Sequence, residues 1–460
     1  MAGIGFELRR MMRKETLYSM VQTYAYAGSI GSGPWVISIA AILIIGIFVN
    51  ANMAQGRFVE QFQVSISYLM ACSLILTSPL QLLFTRFAAD RIFEKRSHMV
   101  LPNLIGILTM TALASAIIAG PVLLYWFDGS FAYRICMFMS FVILSCIWIV
   151  QIFASAVHAP GLVLMVFALG YGITVAAALA LSRFGLEGLL LGFISGQATL
   201  LFTLLALVVR EYPAQQLVSF SFLRRDQIFP TLALTGLLYS LGAWVDKFIF
   251  WGDSLTGAQV IGPLRASPIY DLPIFLAYLS IIPGMAVFFV RMEVDVAEQC
   301  EKYFRTVTNG GSFGEVVEEK RKLVSAIKGG LLEMIKVQLV ATLVLLVFGE
   351  QLLLLFGISP LYRSLLSVDL VAVAMQLVVL AILNFLFYLD RRKLVLGLCL
   401  LFFMSNTALS ILSLNAGPLL YGYGFATAAF LTALVGAFCL STTLDRLEYE
   451  TFMLQPATIH

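Results

Sequence analysis

Charge is what this chain has least of. Aspartate, glutamate, lysine and arginine make up 12% of its 460 residues, 60% are hydrophobic, and the mean hydropathy is +0.94. A water-soluble domain carries about 25% charged residues, which cover its outside. The deficit excludes an ordinary soluble fold and points to a bilayer as solvent. Histidine is nearly missing: His98, His158 and His460 are scattered. The six cysteines, Cys72, Cys136, Cys146, Cys300, Cys399 and Cys439, form no CxxC pair, and only Cys300 lies outside a hydrophobic run. No metal or cofactor is expected from them, and they read as small apolar residues. A net charge of +3, with the basic residues spread between apolar runs, excludes a nucleic-acid surface. No glycine-rich phosphate cradle follows a strand, so no catalytic residue and no enzyme are expected. A cleaved signal peptide is not expected either. The first apolar run begins near Val21 and outlasts the ~7–15 residues of a signal core.

Long apolar runs are what the chain has instead. A helix needs about 20 apolar residues to cross hydrocarbon. Twelve runs qualify, near 21–49, 62–85, 102–127, 135–157, 161–181, 189–209, 228–251, 272–290, 331–356, 370–389, 394–414 and 419–443. With the N-terminus placed in the cytoplasm, the inside segments hold 22 Lys and Arg residues. The outside loops hold five: Arg57, Arg134, Arg183, Arg265 and Arg363. That bias predicts a multi-pass protein of the inner membrane with both termini cytoplasmic. The expected fold is all-α, with about 12 transmembrane helices in two six-helix lobes. Spans one to six fall in 1–222 and spans seven to twelve in 223–460, joined by the polar stretch 211–227. Faint internal echoes accompany this division: Ser78-Pro79 before Phe84-Thr85-Arg86 resembles Ile282-Pro283 before Phe289-Val290-Arg291.

The longest inside segment, 291–330, carries seven basic and seven acidic residues. It reads as two amphipathic helical pieces broken at Gly310, Gly311 and Gly314. It is either a surface-lying connector or a docking platform, in which case Tyr303, Phe304 and Arg305 are the candidate contacts. Glycines at Gly185, Gly188, Gly192 and Gly196 predict close helix packing. Pro34, in Gly31-Ser32-Gly33-Pro34-Trp35, predicts a bend.

Charges at bilayer depth each cost at least ~2.5–3.5 kcal/mol and need a partner or water. Asp246 and Lys247 stand out toward the outer end of span seven. Adjacent residues point about 100° apart on a helix, so the two are not expected simply to pair with each other. Asp246 could bind a coupling proton or cation, or both could line an aqueous cavity. Alternatively they sit at the interface, with Lys247 snorkelling between Trp244 and Trp251. Glu350 reads as interfacial, and Asn384, Asn406, Gln151 and Gln197 as interhelical hydrogen-bonding groups. Aromatic faces stack on hexose rings, which makes Trp244, Tyr26, Trp35 and Tyr278 candidate sugar contacts beside the basic Arg86 and Arg291. Aromatic content alone identifies no glycan path.

Several strings carry a resemblance. The opening Met1-Ala2-Gly3-Ile4-Gly5-Phe6-Glu7-Leu8-Arg9-Arg10, then Ala25-Tyr26-Ala27-Gly28, the run 244–251, Phe275 to Gly284, Phe288-Phe289-Val290-Arg291 and Asp390-Arg391-Arg392 together make the chain similar to the PelG family of Pel exopolysaccharide inner-membrane transporters. The resemblance implies the multidrug/oligosaccharidyl-lipid/polysaccharide flippase superfamily, with two lobes around a cavity that opens alternately to each side. It implies an amino-sugar-rich polymer as substrate and export for the biofilm matrix. It also implies three partners: a PelF-like cytoplasmic glycosyltransferase, a PelD-like cyclic di-GMP receptor and a PelE-like tetratricopeptide protein. A cation-coupled antiporter using Asp246, and a scaffold for a synthase, are the competing readings.

Overall fold

The structure is a computed structural model that describes residues 56–127, 129–154, 160–212, 214, 216–224 and 229–449, with 19, 22–24, 26–28, 37–42, 44–46 and 48–49 from the N-terminal part. Among them the chain is nearly all helix. The long helices are α1 (Gly56–Phe93), α2 (Val100–Tyr125), α3 (Phe131–Ala154), α4 (Pro160–Leu181), α5 (Gly185–Glu211) and α6 (Pro230–Gly252). A two-stranded antiparallel hairpin follows, β1 (Ala258–Ile261) and β2 (Leu264–Ala266). Then come α7 (Pro268–Leu279), α8 (Ile282–Val290), a π-helical segment (Arg291–Val296), α9 (Ala297–Thr308), α10 (Phe313–Val347), α11 (Gly349–Leu355), α12 (Arg363–Tyr388), α13 (Arg392–Ala416) and α14 (Tyr423–Asp445).

Among the described residues ten stretches are long and apolar enough to cross a membrane. The longest, Gly161–Glu211, contains both α4 and α5. The chain turns between them at Gly185, whose φ of +70° suits a residue without Cβ. The helices carry large apolar side chains on their outer surfaces, among them Ile117, Met165 and Phe202 in one part of the chain and Leu412, Leu434 and Phe438 in the other. Such a surface would aggregate in water and belongs against lipid tails. The chain is therefore a multi-pass membrane protein.

Two compact units divide the chain. Unit 1 is 1–4 with 33–268, and unit 2 is 5–32 with 269–460. Inside unit 1, the glycine row of α5 lets α4 approach closely. A Cβ on Gly192 would strike the Ala178 backbone, and one on Gly196 the Thr174 hydroxyl. Phe84 packs edge-on to Phe153 and Phe222. Inside unit 2, α12 is buried along most of its length, from Leu365 to Leu386. Gly424 of α14 lies against the Leu409–Ser410 backbone of α13, beside the Phe402–Phe425 contact.

Span seven (α6) packs in unit 1, where Gly236 lies against the Ser78 carbonyl of α1. Hydropathy gives the order of spans but not which helix finds a glycine to press against. Three sequence expectations change. Span eight is not one helix: it breaks at Ser280–Ile281, just before Pro283. The second amphipathic piece and span nine are one continuous helix, α10, opened by a capping box between Ser312 and Glu315. The turn is made at Gly310, with φ +72°, while Gly314 is helical. The hairpin 258–266 was not expected, although Gly262-Pro263 between apolar neighbours is a turn signal. The Gly31 to Trp35 string and its predicted bend lie outside the described residues.

Candidate functional site

Among the described residues two groups of charged side chains stand out in the apolar spans, one in each unit, apart from Asp369 of α12, which is 0% exposed. In unit 1, α6 is held to α1 by a face that reads Trp244, Phe248 and Trp251, spaced so that all point the same way. Tyr68 of α1 stacks on Trp251 with ring centroids 4.5 Å apart, and Phe248 meets Trp251 edge-on at 5.2 Å. Asp246 and Lys247 follow this face inward. Asp246 is 0% exposed and Lys247 7%. Lys247 Nζ lies 3.0 Å from Asp246 Oδ2, donates to the Ala243 carbonyl at 3.1 Å, and sits 5.7 Å from the Trp244 ring centroid. The adjacent pair does bond, contrary to expectation. The flexible four-carbon lysine stem curls back across the 100° between neighbouring side chains. The Lys247 ammonium lies over the Trp244 ring, while Trp251 is engaged by Tyr68. The ion pair is thus built from one helix.

The turn after α6 is fixed by Asp253, whose carboxylate accepts from the Leu255 N–H at 2.8 Å and the Thr256 N–H at 3.0 Å. The Leu255 amide, then that of Thr256, hold this exposed carboxyl below its ordinary pKa. The Arg265 guanidinium reaches back to the Asp253 and Gly257 carbonyls at 2.9 and 2.6 Å, tying the hairpin down. Arg86, also in unit 1, bonds to Asp90 at 3.2 Å and lies 6.0 Å from the Phe229 ring centroid.

In unit 2 the gathering is a network across three segments. Arg291 stands where α8 passes into the π-helical turn. Its Nη1 meets Asp295 Oδ2 at 2.7 Å, and its Nε donates to Glu333 Oε2 of α10 at 2.6 Å, with Nη2 also on that oxygen. The Tyr24 hydroxyl, from helical residues 22–24, donates to the other oxygen of Glu333 at 2.7 Å. Gly330, one turn before Glu333, lets the Arg291 stem lie close to α10. Two carboxylates face one guanidinium, which leaves a formal charge of one negative. The charged side chains are 26–36% exposed. A π-helical turn inside a span commonly marks a working position, because it aims side chains off the regular ladder. Arg291 is therefore engaged on both sides by carboxylates and is not an open anion site. Glu333 is a charged residue within the apolar run 331–356, and that placement was the available signal.

The remaining candidates are dispersed. Tyr26 and Tyr278 are half-buried in unit 2, and Trp35 lies outside the described residues. In the α9–α10 hairpin Tyr303 is 0% exposed, with its ring edge-on to Phe304. Its side chain is buried in this structure. Phe304 is exposed, and Arg305 is exposed and pairs with Glu301 at 2.6 Å. Glu350 pairs with Arg363 at 3.1 Å between two half-exposed side chains. Among the described residues no group of His, Cys, Asp and Glu could hold a metal ion.

The helical order and the paired units define a class of protein. The chain has the fold of MOP-superfamily transporters. An outward-facing MATE-family multidrug resistance transporter of that superfamily matches with a TM-score of 0.63 at 14% identity, over 92% of this chain and 96% of the other. A MOP-superfamily transporter from Pyrococcus furiosus whose binding pocket has reverse polarity matches at 0.61 and 15%, over 91% and 96%. A variant of the Vibrio cholerae MATE transporter VcmN matches at 0.60 and 11%, over 92% and 98%. Such identities establish the fold alone. Among curated proteins no relative matches. A family model does: the PelG family, "Putative exopolysaccharide Exporter (EPS-E)", fits residues 1–452. The chain belongs to the PelG family. Family and fold together point to a transporter of polysaccharide, not to an enzyme.

Proposed function

We propose that this protein carries a Pel-type, amino-sugar-containing exopolysaccharide across the bacterial inner membrane, with both termini in the cytoplasm. Twelve helices in two lobes give alternating access, and the chain works beside a cytoplasmic glycosyltransferase, a cyclic di-GMP receptor and a tetratricopeptide protein. The observation that carries this reading is the exporter-family match along 1–452 on a transporter fold. The half-buried aromatics Trp244, Tyr26 and Tyr278 are the proposed sugar contacts, since a hexose face stacks on an aromatic ring. Asp246 and Lys247 hold Trp244 in place. Arg291 and Glu333 form a part-hydrated charged patch that can exchange partners with a cationic polymer. In the α9–α10 hairpin, Phe304 and Arg305 are the proposed contacts for the glycosyltransferase.

The test is extracellular polymer in cells that lack this protein and keep the synthase. Polymer is expected to stay inside. Normal extracellular polymer in those cells would overturn export by this chain. Deleting 300–314 is expected to lower recovery of the glycosyltransferase with the purified protein; unchanged recovery would leave the hairpin a connector.

A further inference from the structure

The link between α5 and α6 reads as a polar stretch in the sequence, yet unit 1 grips it at both ends. Tyr212, just after α5, is buried and meets Phe153 edge-on with ring centroids 5.9 Å apart. Phe222, further along the link, is buried too, with its ring centroid 5.7 Å from that of Phe84 and 6.4 Å from that of Phe87. Phe84 packs in turn on Phe153 at 5.6 Å, so one aromatic cluster holds both positions. Between them the backbone is fastened to the start of α2. The Ser219 N–H donates to the Pro102 carbonyl at 2.9 Å. The Phe222 N–H and the Ser221 hydroxyl donate to Asn103 Oδ1 at 3.2 and 2.8 Å. Gly106 makes room for the link, since a Cβ there would strike the Ser219 carbonyl oxygen.

The level of this contact fixes its surroundings. The 26 residues of α2 make about 39 Å of helix, against a hydrocarbon layer of about 30 Å. The first turn of α2 therefore stands among headgroups. Gly106 lies about 9 Å from the helix start, where hydrocarbon begins. Chain fastened at that level runs along the membrane interface. Its later amides stay bonded, as irregular backbone there requires: Leu223 N–H returns to the Phe220 carbonyl at 3.0 Å and Arg224 N–H to Ser221 at 3.2 Å.

The side chains turned away from unit 1 are apolar. Leu217 is 83% exposed, Phe220 48% and Leu223 45%, at every third position of the link. Arg210 and Arg224 flank them, both exposed and without an ion pair among the described residues. We propose that 216–224 is an in-plane anchor that takes an anionic phospholipid. Leu217, Phe220 and Leu223 lie among its acyl chains, and Arg210 and Arg224 meet its phosphate. The apolar row and the flanking guanidinium groups match the two parts of one lipid molecule. A protein partner would have to displace lipid to reach a surface at this depth.

The experiment uses the full-length protein in nanodiscs of phosphatidylcholine and phosphatidylglycerol, without polymer or partner, so its failure leaves the export reading standing. Leu217→Trp adds a reporter at an exposed position to the five native tryptophans, and the emission added over the parent protein is followed. Lipid brominated in its acyl chains is expected to remove about half of that added emission or more, and aqueous iodide to remove little. Quenching by iodide with no effect of brominated lipid would overturn the anchor and leave the face to a partner protein. For the headgroup, lipid retained by the purified protein is counted by native mass spectrometry. Arg210→Gln combined with Arg224→Gln is expected to lower retained phosphatidylglycerol several-fold and leave phosphatidylcholine unchanged. Equal phosphatidylglycerol on the parent and the double variant would overturn the assignment of the phosphate to these arginines.

Discussion

The two units answer the cost of intramembrane charge in opposite ways. In unit 1, Asp246 and Lys247 are neighbours on one helix, almost fully buried, and bond to each other at 3.0 Å. In unit 2, Arg291, Asp295, Glu333 and Tyr24 come from three separate segments and stay partly exposed. A contact made within one helix is kept when that helix moves. A network shared among segments breaks when any of them moves. The comparison teaches that the sealed pair is a fixed part of α6 and the open network is where conformational change can be felt.

Breaking the sealed pair from one side should have the largest effect. Asp246→Ala leaves the Lys247 ammonium buried without its carboxylate, which costs about 3–5 kcal/mol. The expected result is low membrane abundance and a fallen unfolding midpoint, both partly restored when Lys247→Met is added. Normal abundance in the single variant would mean that the pair is not sealed. In unit 2, Glu333→Gln keeps an acceptor for Tyr24 and removes the charge that faces Arg291. A loss of about 1–3 kcal/mol is expected, with export reduced to less than half at normal abundance. If abundance fell and export per molecule held, the network would be scaffolding like the pair.

Tyr24→Phe should be milder, about 1–2 kcal/mol for one hydrogen bond to a charged group. Its effect should vanish in a Glu333→Ala background, because the bond is then already lost. Additive effects in that double-mutant cycle would show that Tyr24 and Glu333 do not communicate. The smallest effect is at the turn after α6. Asp253 has a lowered pKa, so its contribution is complete above the ordinary carboxylate range and is lost as pH falls through the depressed value. Asp253→Asn should speed amide exchange at Leu255 and Thr256 a few-fold at neutral pH and leave the unfolding midpoint unchanged. A lowered midpoint would make the turn part of the unit 1 core.

Most of the helices were legible because a bilayer sets their length. The run expected at 161–181 appears as Pro160–Leu181 and that at 394–414 as Arg392–Ala416. The glycine row of α5 also packs as its spacing predicts, since backbones close only where Cβ atoms are missing. What failed was anything that depends on a partner from elsewhere. The break at Ser280–Ile281 is bridged by Gln338 of α10, which donates to the Ser280 carbonyl and which no local pattern announces. Tyr303 was named as a candidate contact, and its burial in the fold is not visible in local spacing. Asp246 and Lys247 were kept apart by helix geometry alone, because side-chain flexibility does not appear in a helical wheel.

By itself the sequence determined that this chain lives in lipid, crosses it many times and belongs with the PelG exporters. Hydrophobic runs and family strings are local, and the bilayer's thickness does the measuring. Only the tertiary structure decided that Tyr24 meets Glu333 across 309 residues and that Arg291 meets it across 42. The reason is that a buried charge takes whatever complement packing brings within reach, and packing is a property of surfaces folded together, not of neighbours along the chain.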